Sequence, residues 1–171
     1  MRLFENYYDL TFEDIEYDNN TETPAHEVTA RARTADGRNI VIDLNMYNYT
    51  EMSKKYNCFD GRPHWLLDQH MTVDNEQEEV TNKGDAFRIL ATLMKAIDTI
   101  YNSYNLVCYQ TSYSGESKTK MFDRMSNRFS KKYNMMIERE KQDDMVYINL
   151  IDLQQAKYLL NDYQQLSKIN E

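Results

Sequence analysis

The chain has 171 residues and carries 20 Lys and Arg against 28 Asp and Glu, a formal net charge of −8, with a mean hydropathy of −0.81. That length holds one domain with a substantial core and is short for two. The acidic balance argues against a general nucleic-acid binder, because nothing in the total offsets phosphate repulsion, and the longest apolar run is too short to span a membrane. It leaves room for a basic partner, or for a protein that imitates nucleic acid with carboxylates arrayed on one face.

With 14 Tyr, four Gly and two Pro, regular elements should be joined by polar, Asn/Asp-rich loops. The first ten residues contain acidic positions and no apolar h-region, so the reading is a chain without a secretory leader. Cys58 and Cys108 are far apart and read as free thiols in a reducing compartment.

In chain order, Leu3, Phe4, Tyr7, Tyr8, Leu10, Phe12 and Ile15 lie between acidic positions. The pattern fits a strand or a short helix, and a strand over 4–10 is the expectation. Residues 18–24 read as a polar turn. Residues 27–34 place Val28, Ala30 and Ala32 on one side, and residues 39–46 place Ile40, Ile42 and Leu44 on one side. Between them Ala35-Asp36-Gly37-Arg38 is a hairpin turn, since Asp-Gly takes left-handed dihedrals readily. A short helix fits 50–56. Trp65, Leu67, Gln69, Met71 and Val73 alternate with Leu66, Asp68, His70 and Thr72 and predict a strand over 65–73, and 74–80 a hairpin or bulged extension.

Residues 81–104 are the clearest segment, a Gly-containing turn that opens into an amphipathic helix of about five turns. Ala86/Phe87, Leu90, Leu93/Met94, Ile97, Ile100/Tyr101 and Tyr104 recur at three- and four-residue spacing and form one stripe. Asp85 can accept hydrogen bonds from the unpaired amides of the first turn, which places the helix start near it. Then come a strand over 106–111, a polar loop over 112–116, a helix over 117–132 with Met121/Phe122, Met125, Phe129 and Tyr133 as its stripe, and two strands, 135–139 and 145–150, around a charged turn. A third helix is expected over 152–169, with Asp152 as its N-cap.

The order is thus strands, turn, helix, strand, helix, two strands, helix. It predicts an α+β chain, a mixed and mostly antiparallel sheet with helices packed on it. As one domain it would comprise strands and loops over 1–64, a core over 65–150 and a C-terminal helix over 151–171.

That order, with the turn Thr81-Asn82-Lys83-Gly84-Asp85-Ala86, resembles the GNAT family of N-acetyltransferases. There a strand ends in a Gln/Arg-x-x-Gly-x-Gly/Ala turn whose amides, with the following helix N-terminus, hold the coenzyme A pyrophosphate. More narrowly, Gly84-Asp85-Ala86-Phe87-Arg88-Ile89-Leu90-Ala91-Thr92-Leu93 is similar to small acetyltransferase-like proteins of tailed bacteriophages, which also carry a later arginine-studded helix like that around Met121-Phe122-Asp123-Arg124-Met125.

The resemblance covers residues 65–150. It implies acetyl-CoA as cofactor, with Thr81, Asn82, Lys83, Gly84, Asp85, Ala86 and Lys118 near its phosphates, and Glu78 or Glu79 as the base that takes the amine proton. Adjacent strand residues point opposite ways, so at most one of the two faces a cleft. Gly84 and Ala86 match the small positions that a diphosphate needs beside convergent N–H donors. Thr81 stands where the family has Gln or Arg, and Asp85 adds a carboxylate that can cap the helix or repel the anion. The turn therefore reads either as a bare helix start or as a cofactor turn.

Catalysis by that family commonly uses a Tyr that re-protonates the leaving thiolate; the corresponding position is Phe122, which cannot donate a proton, with Tyr113 and Tyr133 as candidate substitutes. His26, His64 and His70 lack metal-ligand spacing, and Cys108, in an apolar strand, reads as a core residue. Lys118, Lys120, Arg124, Arg128, Lys131 and Lys132 polarise one helix of an otherwise acidic chain, as a solvated face or as a surface for an anion or acidic partner. The expected function is a non-catalytic or catalytically degenerate GNAT-like bacteriophage protein, without a cofactor, acting through protein binding, virion-associated or host-directed, in the infected host's cytoplasm or in the virion. An acetyl-CoA-dependent N-acyltransferase and an acidic DNA-mimic inhibitor are the alternatives.

Overall fold

A computed structural model describes residues 5–18, 25–48, 50–55, 61, 64–74, 83–114 and 119–153. Its elements are β1 (Thr11–Asp18), β2 (Ala25–Arg33), β3 (Asn39–Asn48), α1 (Thr50–Lys55), β4 (Trp65–Val73), α2 (Lys83–Ser103), β5 (Leu106–Ser114), α3 (Thr119–Tyr133), β6 (Met135–Gln142) and β7 (Met145–Asp152). The chain is α+β, and its β1–β2, β2–β3, β5–β7 and β6–β7 pairings are all antiparallel. It folds as two compact units, residues 1–47 with 67–104 and residues 48–66 with 105–171.

The first unit is built on the β2–β3 hairpin. Its register sets Val28 opposite Leu44, Ala30 opposite Ile42 and Ala32 opposite Ile40, so the apolar alternation of both strands falls on one face. Ala30, Ile40, Ile42, Leu44 and Met46 have no exposed surface. The turn is the expected one: Gly37 has φ 86°, a left-handed conformation, with no atom near an added Cβ, so backbone preference alone selects glycine. Thr34 closes the turn, its amide donating to the Arg38 carbonyl at 2.9 Å and its hydroxyl accepting from the Arg38 amide at 2.9 Å.

β1 pairs with β2 but begins at Thr11, so the strand expected over 4–10 lies one segment later. Residues 6–10 have no regular structure, and Tyr7 and Tyr8 are engaged with α2 instead (below). Helix α2 is buried well beyond a stripe: Leu90, Ala91, Thr92, Leu93, Met94, Ala96, Ile97 and Ile100 are all inside. Lys83 is already helical, so Lys83, Gly84, Asp85 and Ala86 form the helix's first turn rather than a loop before it.

The second unit holds the strand neighbours β5-β7-β6, with α3 packed on β6 and β7. Met125, Phe129 and Ser126 are the buried face of α3, and Phe129 meets Tyr109 of β5 edge-on at 6.2 Å. Asn134, at φ 56°, ends α3 in the left-handed conformation usual after a helix C-terminus. The β6–β7 connection is a two-residue turn, with Asp143 at φ 54°, so both strands run longer than expected and 140–142 belong to β6. Along β6 the register is unbroken and Glu138, Arg139, Glu140 and Lys141 are exposed. The pleat therefore puts Glu138 and Glu140 on one face and Arg139 and Lys141 on the other.

At the start of this unit, Asn48 Oδ1 accepts from the Thr50 amide at 2.9 Å and caps α1. Thr50 Oγ1 accepts the amide of buried His64 at 3.1 Å. Cys108 is buried beside Ile151, a core residue as read from the sequence. β7 ends at Asp152; the helix expected over 152–169 lies outside the described residues from 154 onward.

Candidate functional site

The start of α2, where the cofactor turn was expected, is a junction of three chain segments within the first unit. Asp85 occupies the third position of the helix. Its Oδ1 accepts the Tyr8 hydroxyl and its Oδ2 the guanidinium of Arg38, both in short contacts. The carboxylate is therefore committed to tertiary partners rather than to the helix's own amides, which corrects the capping role expected for it. Its side chain is 14% exposed and that of Arg38 25%, so solvent screens the pair only in part.

The hairpin turn aims Arg38. Asp36 accepts the Thr34 hydroxyl and, with both oxygens at 3.1 Å, the Arg38 Nε–H. These contacts hold the Asp36 carboxyl below its usual range, Thr34 contributing most and Arg38 next. The guanidinium is thus oriented by the exposed Asp36 and delivered to the half-buried Asp85, and its pKa rises in consequence, chiefly through Asp36.

Tyr8 is held at three successive turns of α2. Its hydroxyl meets Asp85, its ring lies under the Arg88 guanidinium at 3.9 Å, and its amide donates to Thr92 Oγ1 at 2.9 Å. Thr92 in turn donates to the Arg88 carbonyl at 2.8 Å. Positions 85, 88 and 92 share one helix face, and Lys95, one turn on, stands over the Tyr7 ring at 5.3 Å. The short stretch before β1 is thereby laid along a polar stripe of α2. Burial, and then the hydrogen bond to Asp85, raise the Tyr8 phenol above its ordinary range. Among the described residues the Arg88 Nε is buried without a hydrogen-bond partner, and the guanidinium engages the π face of the Tyr8 ring.

At the other end of the same helix a second polar chain forms. The Tyr104 hydroxyl lies 2.5 Å from His26 Nδ1, and His26 Nε2 lies 2.8 Å from Asp14 Oδ1. A neutral imidazole bearing its proton on Nε2 accepts from the phenol and donates to the carboxylate, satisfying both. Burial, and then the Asp14 charge, raise the Tyr104 phenol above its ordinary range. The arrangement ties β1, β2 and the end of α2 together. His26 lacks metal or catalytic spacing, and a lone His on the strand beside its Asp leaves no local pattern in the sequence.

In the second unit Phe122 is stacked on Tyr113, with centroids 4.6 Å apart and planes at 15°. Tyr113 is 5% exposed, and it lies in β5 rather than in the expected loop. Tyr133 stacks on Phe129 at 5.9 Å. Both candidate substitutes for the family's proton-donating tyrosine are thus packed among aromatic rings. In the first unit, Asp68 and His70 share one face of β4, where burial raises the Asp68 carboxyl and the His70 charge opposes it. Among the described residues there is no group of three metal-ligating side chains, and no helix is long and apolar enough to cross a membrane.

Of the residues named from the sequence, Asp85 and Ala86 are described in full and Lys83 and Gly84 by their place in the helix. Glu78, Glu79, Thr81, Asn82 and Lys118 lie outside the described residues. Tyr8, Arg38, Arg88 and Thr92, which build the junction around Asp85, were not singled out. The signal was the spacing 85, 88, 92, 95 on α2, a polar stripe beside the apolar one. No protein-family model matches the chain, and no curated protein or solved structure matches it either.

Proposed function

We propose that this chain is a GNAT-like protein of bacteriophage type that acts by binding another protein, without acyl transfer. Asp85 carries the reading. A coenzyme pyrophosphate at the start of α2 needs amides free of competing negative charge, and here a carboxylate stands in the first helical turn, fixed by Tyr8 and Arg38. Arg38, the cation nearest that carboxylate, already serves two carboxylates. The described residues therefore fit a diphosphate poorly. Phe122 adds to this, since it offers no proton to a leaving thiolate and is packed against Tyr113. Such a protein would work in the infected host's cytoplasm or in the virion.

The acetyl-CoA-dependent N-acyltransferase is the second reading, favoured by the order strand, helix, strand, helix, two strands and by the small residues Gly84 and Ala86 in the first turn of α2. Titration calorimetry of the purified protein with acetyl-CoA and with CoA, beside Gly84→Glu, separates the two. No heat at millimolar ligand is expected. Micromolar binding that disappears in Gly84→Glu would overturn the proposal and make Glu78 and Glu79 the next substitutions. The DNA-mimic alternative sits poorly with the exposed cations of α3.

A further inference from the structure

The solvent face of α3 carries Lys120, Arg124, Arg128 and Lys131, all exposed. Spacings of four, four and three residues set them in one stripe about 16 Å long. The opposite face is the buried one, with Met125 and Phe129. The acidic residue of α3, Asp123, is turned away to Arg139 of β6 at 2.9 Å. Lys120, Arg124 and Lys131 have no carboxylate partner among the described residues.

Solvated helix faces usually interleave opposite charges at i and i+4. Here Lys120 faces Arg124 and Arg124 faces Arg128, like charges at the spacing that destabilises a helix. The chain as a whole carries 28 Asp and Glu, so this concentration of one sign is not inherited from composition. A partner that brings carboxylates to the stripe removes the repulsion on binding.

We propose that the outer face of α3 docks an acidic segment of another protein. This rests on the protein-binding reading above and gives the partner's chemistry. Nucleic acid fits less well, because a polyanion extending past this short stripe meets a molecule of net charge −8.

The test uses fluorescence anisotropy of a labelled twelve-residue Glu/Ala peptide with the full-length protein, its K120E/R124E variant and an R33E/K141E variant. The two variants change net charge equally, and Arg33 and Lys141 are exposed and off the stripe. K120E/R124E should weaken binding by about tenfold or more, and R33E/K141E much less. Equal weakening in both variants would overturn the proposal, as would a labelled twelve-nucleotide single-stranded DNA binding more tightly than the peptide. A rise in oligomeric state that disappears in K120E/R124E would also overturn it, by assigning the stripe to a second copy of the chain. Melting curves exclude loss of fold, and K120Q/R124Q repeats the comparison without adding negative charge. Coenzyme binding with peptide binding intact would remove the non-catalytic reading alone and leave the docking surface standing.

Discussion

Arg38→Ala combined with Asp85→Asn in a double-mutant cycle tests the junction at the start of α2. Asp85→Asn keeps an oxygen to accept the Tyr8 hydroxyl and removes the charge, while Arg38 retains Asp36. Arg38→Ala instead leaves a carboxylate that is 14% exposed with Tyr8 as its remaining described donor. A charged hydrogen bond contributes about 1.5–3 kcal/mol and an exposed ion pair at most about 1. With side chains 14% and 25% exposed, the pair falls between these limits, at about 1–2 kcal/mol of coupling.

The expected costs are about 1 kcal/mol for Asp85→Asn and about 2 for Arg38→Ala, with the double variant close to Arg38→Ala alone. In a protein of this size each kcal/mol moves Tm by about 2–4 °C. Urea denaturation followed by tyrosine and tryptophan fluorescence measures all four proteins. Additivity within about 0.5 kcal/mol would refute the reasoning, because it would mean that the Arg38–Asp85 contact contributes nothing to the native state.

Two further outcomes follow from buried titrating groups and the second polar chain. Burial, assisted by the Glu138 charge, pushes the Cys108 thiol up to about 12 from its ordinary 9.0. The folded protein therefore keeps a proton that the unfolded chain loses above pH 9, so this group's contribution is whole below pH 9 and declines from there toward pH 12. In a Cys58→Ser background, a thiol reagent at pH 8 should label Cys108 at the rate of unfolding, as read by intact mass; rapid labelling of folded protein would contradict the burial. Tyr104→Phe removes the donor to His26 and should lower stability by about 1 kcal/mol, and Tyr104→Phe should cost much less in a His26→Ala background. Equal cost in both backgrounds would show that the phenol and imidazole do not interact.

The hairpin was legible because two independent local signals agree there: period-two apolar alternation in β2 and β3, and Asp-Gly at the turn. β4, α2 and α3 were legible from periodicity alone, of two residues in the strand and of three and four in the helices. The fold failed to show through where tertiary contact decides. Tyr7 and Tyr8 sit in a pattern that fits a strand or a short helix, yet the polar stripe of α2 claims them, and the strand starts at Thr11. Asp85 at a helix start has a local account, capping, that is chemically sound. Arg38, 47 residues away, outbids the local amides, and no window of sequence holds both. The Asp14–His26–Tyr104 chain likewise joins three distant positions. Phe122 was informative without structure, because a missing hydroxyl needs no geometry.

The charge order of β6, last in the strand order, governs how the molecule meets its own copies. When two such strands pair antiparallel about a two-fold axis, opposed side chains share a face, so each position meets another an even number of residues away. Glu138 and Glu140 would then confront each other, and on the reverse face Arg139 and Lys141 would do the same. Every centred register along this stretch sets like against like, which disfavours the pairing. Among the described residues the edge is thus disfavoured for its twin and suited, in sign, to a strand acidic on one face and basic on the other.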